Sequence, residues 1–312
     1  MPLKEVVKLF GIGFAHGKFG ELLQGVLPEN NTNFLVTLPI SRYSIAKFSC
    51  SALEETNIVY PSHKAKSAQL VSKIMEYFGI TYGWILTIDS ELQEGKGLGS
   101  STADMVASAR AVTQALGKDL PIEVLLRFLK EIEPSDGVMY DGIVCFYHQN
   151  VVLHSQLGYL SDLMIVAIDE GGIVDTVKFN REIKLYSQEE KQEYVNLLNE
   201  MLVAIKKADL KRIGSIASKS AILHQATNPK KNLNLLLELC KVVDALGVVV
   251  AHSGTYIGII LDKKNPDHSK KLSCIERSLK MNSLIPERFN TFSKQMEYPD
   301  QIEDRLKVGN VY

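Results

Sequence analysis

The stretch that decides the fold reads EGKGLGSSTAD and covers residues 94–104. Its three glycines, at positions 95, 97 and 99, allow positive φ angles and let the backbone approach a ligand closely. From Ser100 to Leu116 the apolar side chains recur at spacings of three and four, which predicts a helix. Because the first N–H groups of a helix are unpaired and favour an anion, the loop is predicted to cradle phosphate.

Two other phosphate-binding signatures do not fit this loop. The pattern G-x-x-x-x-G-K-[ST] occurs nowhere in the chain, which excludes a Walker A loop. The spacing of the glycines also differs from the G-x-G-x-x-G of dinucleotide sites. A glycine-rich turn with a serine N-cap remains open as the purely structural interpretation.

Strands and helices are both expected along the whole chain. The expected strands cover residues 34–40, 43–48, 84–88, 142–147, 151–154, 163–168, 248–251 and 257–261. The expected helices cover residues 67–78, 100–116, 121–130, 188–206, 209–223, 232–246 and 269–279, with Gly247 expected as the C-cap of the sixth. The polar stretch 158–161 predicts a boundary between two domains.

Composition narrows the class of protein. The 312 residues are 46% hydrophobic and 23% charged, which is typical of a globular protein. The 35 basic and 36 acidic residues leave a net charge of -1, so neither nucleic acid nor a membrane is expected as a partner. The longest apolar stretch, 246–261, is too short for a bilayer span and no signal peptide is recognisable, so a cytoplasmic location is expected.

The cysteines give no sign of a disulfide framework or a zinc site. Cys50, Cys145, Cys240 and Cys274 are scattered, and no C-x-x-C pair occurs. We therefore expect plain thiols at all four positions.

Three segments together resemble one family. GLGSSTAD, residues 97–104, resembles the second motif of the GHMP kinases, which include galactokinase, homoserine kinase, mevalonate kinase and phosphomevalonate kinase relatives. Its SSTAD wording is most similar to the L-threonine kinase branch of cobalamin biosynthesis. HGKFGELLQG, residues 16–25, resembles the N-terminal GELxQG motif of that branch, and AHSGT, residues 251–255, resembles its third motif.

The resemblance implies a fold and an activity. The fold is the α+β, two-domain GHMP kinase fold, with an N-terminal ribosomal-protein-S5-like α/β domain over residues 1–158. A C-terminal ferredoxin-like α+β domain follows over 159–285, and residues 286–312 form a tail. The activity is transfer of the γ-phosphate of ATP to a hydroxyl, with L-threonine the best candidate acceptor. Another hydroxy amino acid, alcohol or sugar, and a catalytically silent nucleotide-binding regulatory relative, stay open.

The same resemblance implies which residues bind ATP and Mg²⁺. The residues expected to hold the triphosphate are Glu94, Gly95, Lys96, Gly97, Leu98, Gly99, Ser100, Ser101 and Thr102. Ser100, Ser101 and Asp104 are the expected metal contacts, since hydroxyl and carboxylate oxygens suit Mg²⁺. Lys96 could equally be a solvated loop lysine, and Asp104 could serve the helix dipole.

The catalytic and acceptor-binding residues are expected on the other motifs. Asp136 is the candidate base, with Asp141 as the alternative and an Asp-Gly turn as the structural interpretation. Lys18 is the second candidate catalytic residue. The candidate substrate residues are Glu21, Gln24, His252, Ser253, Gly254 and Thr255. For Glu21 and Gln24 a solvated face stays open, and for His252 a core histidine. A homodimer is an open option.

Overall fold

The computed structural model describes residues 8–53, 55–160, 162–172, 174 and 186–291. Its strands are β1 Leu9–Val26, β2 Asn33–Ser51, β3 Asn57–Tyr60, β4 Gly83–Ser90, β5 Ile143–Tyr147, β6 Val152–Gly158, β7 Leu163–Asp169, β8 Gly247–Val250, β9 Tyr256–Asp262 and β10 Glu287–Asn290. Its helices are α1 Ala65–Tyr77, α2 Ser100–Leu116, α3 Ile122–Ile132, α4 Gln188–Lys206, α5 Leu210–His224, α6 Leu233–Val242 and α7 His268–Met281. A short 3-10 helix covers Glu29–Asn31.

One sheet connects the two halves of the sequence. The strand order is β10-β7-β9-β8-β1-β2-β4-β3, and β5 pairs with β2 and with β6. Only β3 and β4 are parallel neighbours; the other pairs among the described strands are antiparallel. The halves join where Glu21 of β1 pairs with Val250 of β8. The first and third motifs therefore meet at the centre of the sheet.

Helix α2 lies directly on β1, and small residues make this possible. A Cβ built on Gly11 would lie 2.2 Å from the carbonyl oxygen of Ala111, and one on Gly13 would lie 2.2 Å from that of Ala107. Alanines and glycines at this contact let the two backbones approach closely. The contact places the N-terminus of α2, and with it the glycine-rich loop, beside the first motif.

Most of the expected elements are confirmed, and the helices 100–116 and 188–206 have the predicted bounds. The expected end of the sixth helix is wrong, because α6 ends at Val242 and Gly247 begins β8. Gly247 serves packing instead of capping: a Cβ there would lie 2.0 Å from the carbonyl oxygen of Gly214 in α5.

Further differences concern the strands, among them β3, which the sequence did not indicate. The whole of β1 was missing from the sequence-based assignment, and the segments 34–40 and 43–48 form the single strand β2. Within the stretch assigned to a tail, residues 287–290 form β10, which pairs with β7; residues 292–312 lie outside the described residues. The domain boundaries stay a prediction. Among the described helices, none combines the length and apolar character needed to cross a bilayer.

Candidate active site

The glycine-rich loop ends in an uncapped helix N-terminus. Gly95, Gly97 and Gly99 have φ angles of 69°, 87° and 71°, in the left-handed region that favours glycine. Gly99 is itself the N-cap of α2, and no side-chain hydrogen bond caps the helix. The serine N-cap interpretation is therefore wrong. The arrangement leaves the first N–H groups of α2 available to an anion.

The other two motifs hold this loop in place through main-chain contacts. The Lys18 N–H donates to the Leu98 carbonyl at 3.0 Å, and the Thr255 N–H donates to the Lys96 carbonyl at 3.2 Å. Gly254 is so close that a Cβ on it would lie 2.1 Å from the carbonyl carbon of Lys96. The three motifs that the sequence shows far apart thus form one site.

A cavity of about 410 Å³ opens over the loop. The sequence-predicted site residues that line it are Lys18, Glu94, Gly95, Gly97, Gly99, Ser100, Ser101, Thr102, Asp104, Asp136, His252 and Ser253. The predicted residues that do not line it are Lys96, Leu98, Glu21, Gln24, Gly254, Thr255 and the alternative base Asp141. Lining residues that sequence reasoning missed include His63, Lys64, Lys66, Glu133, Ser135 and His148.

A buried lysine joins the first motif to the candidate base. The Lys18 ammonium lies 3.0 Å from the Asp136 carboxylate and also pairs with Glu21. Burial by itself lowers the pKa of Lys18, but the two carboxylates, Asp136 foremost, outweigh it and hold that pKa above its ordinary value. Burial raises the pKa of Glu21, with Lys18 opposing that effect. Lys18 is therefore a fixed positive charge at the wall of the cavity.

Asp136 lies against the loop. Its N–H donates to the Thr102 hydroxyl at 3.1 Å, and a Cβ on Gly99 would lie 3.4 Å from Asp136 Oδ2. Asp141 is exposed, and its carbonyl oxygen accepts a hydrogen bond from Gln156 instead. Of the two aspartates, Asp136 lines the cavity and Asp141 does not.

Asp104 has structural partners on both carboxylate oxygens. It is 2% exposed, accepts from the Ser44 hydroxyl at 2.5 Å and pairs with Lys64 at 2.6 Å. Lys64 also pairs with Glu94 at 2.5 Å, and these contacts more than offset the effect of burial, so the pKa of Glu94 is lowered. Asp104 thus anchors the first turn of α2.

Glu133 is the carboxylate that meets the loop serines. It is buried at the C-terminus of α3, where one oxygen accepts from the Ser101 hydroxyl and the other pairs with Lys66. The sequence signal for Glu133 is a carboxylate at the predicted end of a helix, three positions before Asp136. Among the described residues no group of three or more His, Cys, Asp or Glu side chains could hold a metal ion alone. Glu133 with the loop serines instead fits Mg²⁺, which keeps waters and phosphate oxygens among its ligands.

Glu21 and Gln24 both form hydrogen bonds with His252. The second oxygen of Glu21 accepts from the His252 N–H at 2.8 Å, so both of its oxygens have protein partners. His252 Nδ1 and Gln24 Oε1 are hydrogen-bonded at 2.6 Å. Of these three candidate substrate residues, only His252 lines the cavity.

Lys96 turns away from the cavity and joins the loop to the C-terminal half. Its ammonium lies 2.5 Å from Asp169 Oδ2 and donates to the Gly172 carbonyl at 2.7 Å. The Thr255 hydroxyl donates to the other oxygen of Asp169 at 2.5 Å. Through Asp169, these contacts connect Lys96 of the loop to Thr255 of the third motif. The predicted contact of Lys96 with phosphate stays a prediction.

The fold is shared with small-molecule kinases of known structure. Residues 64–149 match the family model of the GHMP kinases N terminal domain. Homoserine kinase from Cytophaga hutchinsonii superposes with a TM-score of 0.67 at 15% identity, over 94% of this chain and 96% of that one. Mevalonate kinase from L. major, in complex with R-mevalonate, gives 0.63 at 16% identity, over 94% and 99%. The chain therefore contains a segment that matches the GHMP kinases N terminal domain, and it shares its fold with kinases of that kind.

Two curated relatives are L-threonine kinases. The chain is 26% identical to the L-threonine kinase of Salmonella typhimurium, over 80% of this chain and 82% of that one. It is 25% identical to the L-threonine kinase of Citrobacter freundii, over 80% and 85%.

Proposed function

We propose that this protein transfers the γ-phosphate of ATP to the hydroxyl of L-threonine, giving O-phospho-L-threonine and ADP. The observation that carries the proposal is the placement of Asp136. Its carboxylate lies between Lys18 and the end of the glycine-rich loop, where an acceptor hydroxyl and a γ-phosphate would meet. The two L-threonine kinases among the relatives support the choice of acceptor.

In the proposed reaction, a bond forms between the acceptor oxygen and the γ-phosphorus while the bond to the β-phosphate oxygen breaks. The hydroxyl proton passes to Asp136, which also orients the hydroxyl. The N–H groups of the loop and of the first turn of α2 stabilise negative charge on the phosphates. Lys18 holds the Asp136 carboxylate at 3.0 Å and adds a positive charge beside the transferring group.

Magnesium fits the residues around Ser101. Ser100, Ser101 and Glu133 line the cavity beside the loop and would hold the ion together with phosphate oxygens. Bound there, Mg²⁺ would neutralise phosphate charge during transfer. Asp104, whose oxygens are engaged by Ser44 and Lys64, is left out of this set. The cytoplasmic location and a homodimer stay predictions.

The experiment is an acceptor screen combined with one substitution. ADP release is measured with L-threonine, L-serine, L-homoserine and several sugars, and we expect the highest kcat/KM with L-threonine. Asp136→Asn should lower kcat about 10²- to 10⁴-fold with the KM for ATP nearly unchanged. A preferred acceptor other than L-threonine would refute the substrate, and an unchanged kcat in Asp136→Asn would refute the role of Asp136.

A further inference from the structure

Lys66 connects helix α1 to the carboxylate of Glu133. It is the second residue of α1, and it lines the cavity over the glycine-rich loop. Its ammonium pairs with one oxygen of Glu133, and the other oxygen accepts a hydrogen bond from the Ser101 hydroxyl. The ammonium is therefore one carboxylate group away from the loop serine that is proposed to contact magnesium.

Lys66 differs from the two other lysines that line the cavity among the described residues. Lys18 and Lys64 each pair with two carboxylates, and their side chains are only 4% and 10% exposed. The side chain of Lys66 is 42% exposed, and in the described part of the chain its one ion pair is with Glu133. Because a lysine is a compact charge on a flexible chain, an exposed ammonium can exchange one anionic partner for another. Lys66 is thus the lysine of this cavity that is able to turn to a ligand.

Magnesium at Glu133 would compete with this ammonium. Both oxygens of Glu133 have partners, as both oxygens of Asp104 do. The two sites differ in the exposure of the lysine, since Lys64 is nearly buried and Lys66 is not. A dication and an ammonium on one buried carboxylate repel each other, and this repulsion grows as the surroundings exclude water. Magnesium binding at Glu133 therefore requires Lys66 to move.

The anions around the cavity indicate where the ammonium goes. Among the described residues, the other carboxylates that line the cavity already pair with Lys18 or Lys64; they are Glu94, Asp104 and Asp136. A protein-bound magnesium ion keeps phosphate oxygens of the nucleotide among its ligands, so these oxygens lie next to the position that Lys66 leaves. Phosphate accepts strong charge-assisted hydrogen bonds from lysine. The polyphosphate is thus the nearest new partner for Lys66.

We propose that Lys66 is a phosphate-binding residue that couples nucleotide binding to metal binding: its ammonium neutralises Glu133 before magnesium binds, and turns to the phosphates of the nucleotide when magnesium takes Glu133. The inference rests on the proposed function, since it concerns the magnesium ion and the nucleotide of that reaction. The exchange leaves no charge unpaired, which matters because a buried carboxylate without a partner is costly. Without nucleotide the displaced ammonium gains no new partner, so metal and nucleotide favour each other's binding.

The test measures Mn²⁺ binding to the whole chain from the electron paramagnetic resonance signal of the free ion. Mn²⁺ takes the oxygen ligands that Mg²⁺ takes. Without nucleotide, Lys66→Met removes the ammonium that competes for Glu133 and should tighten Mn²⁺ binding about tenfold or more. With saturating ADP this gain should vanish or reverse, because in the native protein Lys66 then has the phosphates as partners. Damage to the fold would weaken Mn²⁺ binding in both measurements and would not imitate this result.

Two further variants serve as controls. Lys66→Arg keeps the positive charge and should bind Mn²⁺ as the native protein does. Lys73→Met is the matched control, because Lys73 lies on the same helix, pairs with Glu131 at 2.6 Å and does not line the cavity, so Mn²⁺ binding should not change. The absence of a gain in nucleotide-free Lys66→Met would overturn the inference. An equal gain with and without ADP would also overturn it, since Lys66 would then move only into solvent.

The failure of the proposed function gives a different result. Because no acceptor is used, the refutation of L-threonine as substrate leaves both measurements unaffected. Glu133→Gln tests the metal ligand itself and should weaken Mn²⁺ binding to the ADP complex about tenfold or more. Unchanged binding in that variant would refute Glu133 as a magnesium ligand, and this inference with it. Weakened binding in Glu133→Gln, without the effects expected of Lys66→Met, would refute the inference alone.

Discussion

Replacing Gly254 by alanine tests whether the third motif positions the phosphate loop. No positive φ accompanies Gly254, so alanine is acceptable to the backbone there and the effect is steric. The new Cβ would lie 2.1 Å from the carbonyl carbon and oxygen of Lys96 and 2.3 Å from the Gly97 nitrogen. Because ordinary contact begins at 3.4 Å, the two segments must separate by about 1.3 Å. All the atoms met are main-chain atoms, which cannot rotate away as a side chain could.

The substitution is expected to lower both the stability of the protein and its activity. Overpacking of this kind costs about 1–3 kcal/mol in the free energy of unfolding. A displacement of about 1 Å in a catalytic loop costs about 10²-fold in rate, so Gly254→Ala should lower kcat/KM for ATP by about that factor. The assay is ADP release at varied ATP concentration, with thermal unfolding measured on the same sample.

Gly117→Ala is the control for stability alone. Gly117 follows α2 with a φ of 59°, and a Cβ there would meet nothing within 4 Å. Alanine in this left-handed conformation costs about 1–2 kcal/mol without moving the loop. A kcat/KM for ATP within about threefold of the native value in Gly254→Ala would refute the reasoning. An equal loss of activity in both variants would refute it too, because the loss would then follow stability.

Three other perturbations have distinct expected outcomes. Glu133→Gln should raise the Mg²⁺ concentration for half-maximal activity about tenfold or more. Glu131→Gln is the control, because Glu131 is exposed on the same helix, and it should cause no such rise. Equal shifts in both variants would contradict a magnesium site at Glu133. Burial lowers the pKa of Lys230 from 10.5 to about 8 in the folded protein. Between pH 8 and 10.5 the unfolded chain therefore binds more protons than the folded protein. The free energy of unfolding should then rise with pH, by up to about 3 kcal/mol across this window. In urea unfolding, Lys230→Met should not show this rise. Parallel pH profiles of the unfolding free energy for the native protein and the variant would refute the role of Lys230. Lys96→Met and Asp169→Asn each break the same ion pair, so the double variant should lose no more kcat/KM than the worse single variant. Additive losses would show that the two residues act independently.

Local signals explain why the loop and its helix could be predicted. Glycine spacing and helical periodicity over 94–116 are properties of neighbouring residues, and the structure confirms both. Strand β1 has no such signal. Its middle is buried on both faces, so apolar and polar side chains do not alternate, and glycines interrupt the run. The strand that carries the first motif was therefore missed.

Partners distant in sequence explain the differences within the site. Lys96 and Asp104 have the residue types that phosphate and metal contacts require, but Asp169 engages the first, and Ser44 and Lys64 engage the second. These partners are 40 to 73 positions away, as the hydrogen bonds record. No pattern within the loop shows which of its charged side chains will be neutralised by the fold.

The ion pair between Lys18 and Glu21 shows how the irregularity of β1 serves the site. In a regular strand, residues three apart point to opposite faces of the sheet, so these two side chains could not meet. The pairing register of β1 with β2 shifts between Lys18 and Glu21, and Gly20 within that shift has a φ of 50°. Such bulges re-aim side chains next to active sites. A Cβ on Gly20 would also lie 2.2 Å from the Val250 carbonyl, so the bulge and the junction with β8 both require glycine there.

A chain of contacts then leads from the bulge to the chemistry. The bulge brings Glu21 to Lys18, Glu21 fixes the ammonium, and the ammonium fixes Asp136 at 3.0 Å. In the loose transition state of phosphoryl transfer, the attacking oxygen forms little bond before the phosphoryl group departs, so a strong base is not needed. In the proposed reaction, Asp136 therefore needs above all a fixed position beside the acceptor hydroxyl. The bulge in β1 provides that position through Glu21 and Lys18, so the first motif serves the site because it lies in an irregular strand.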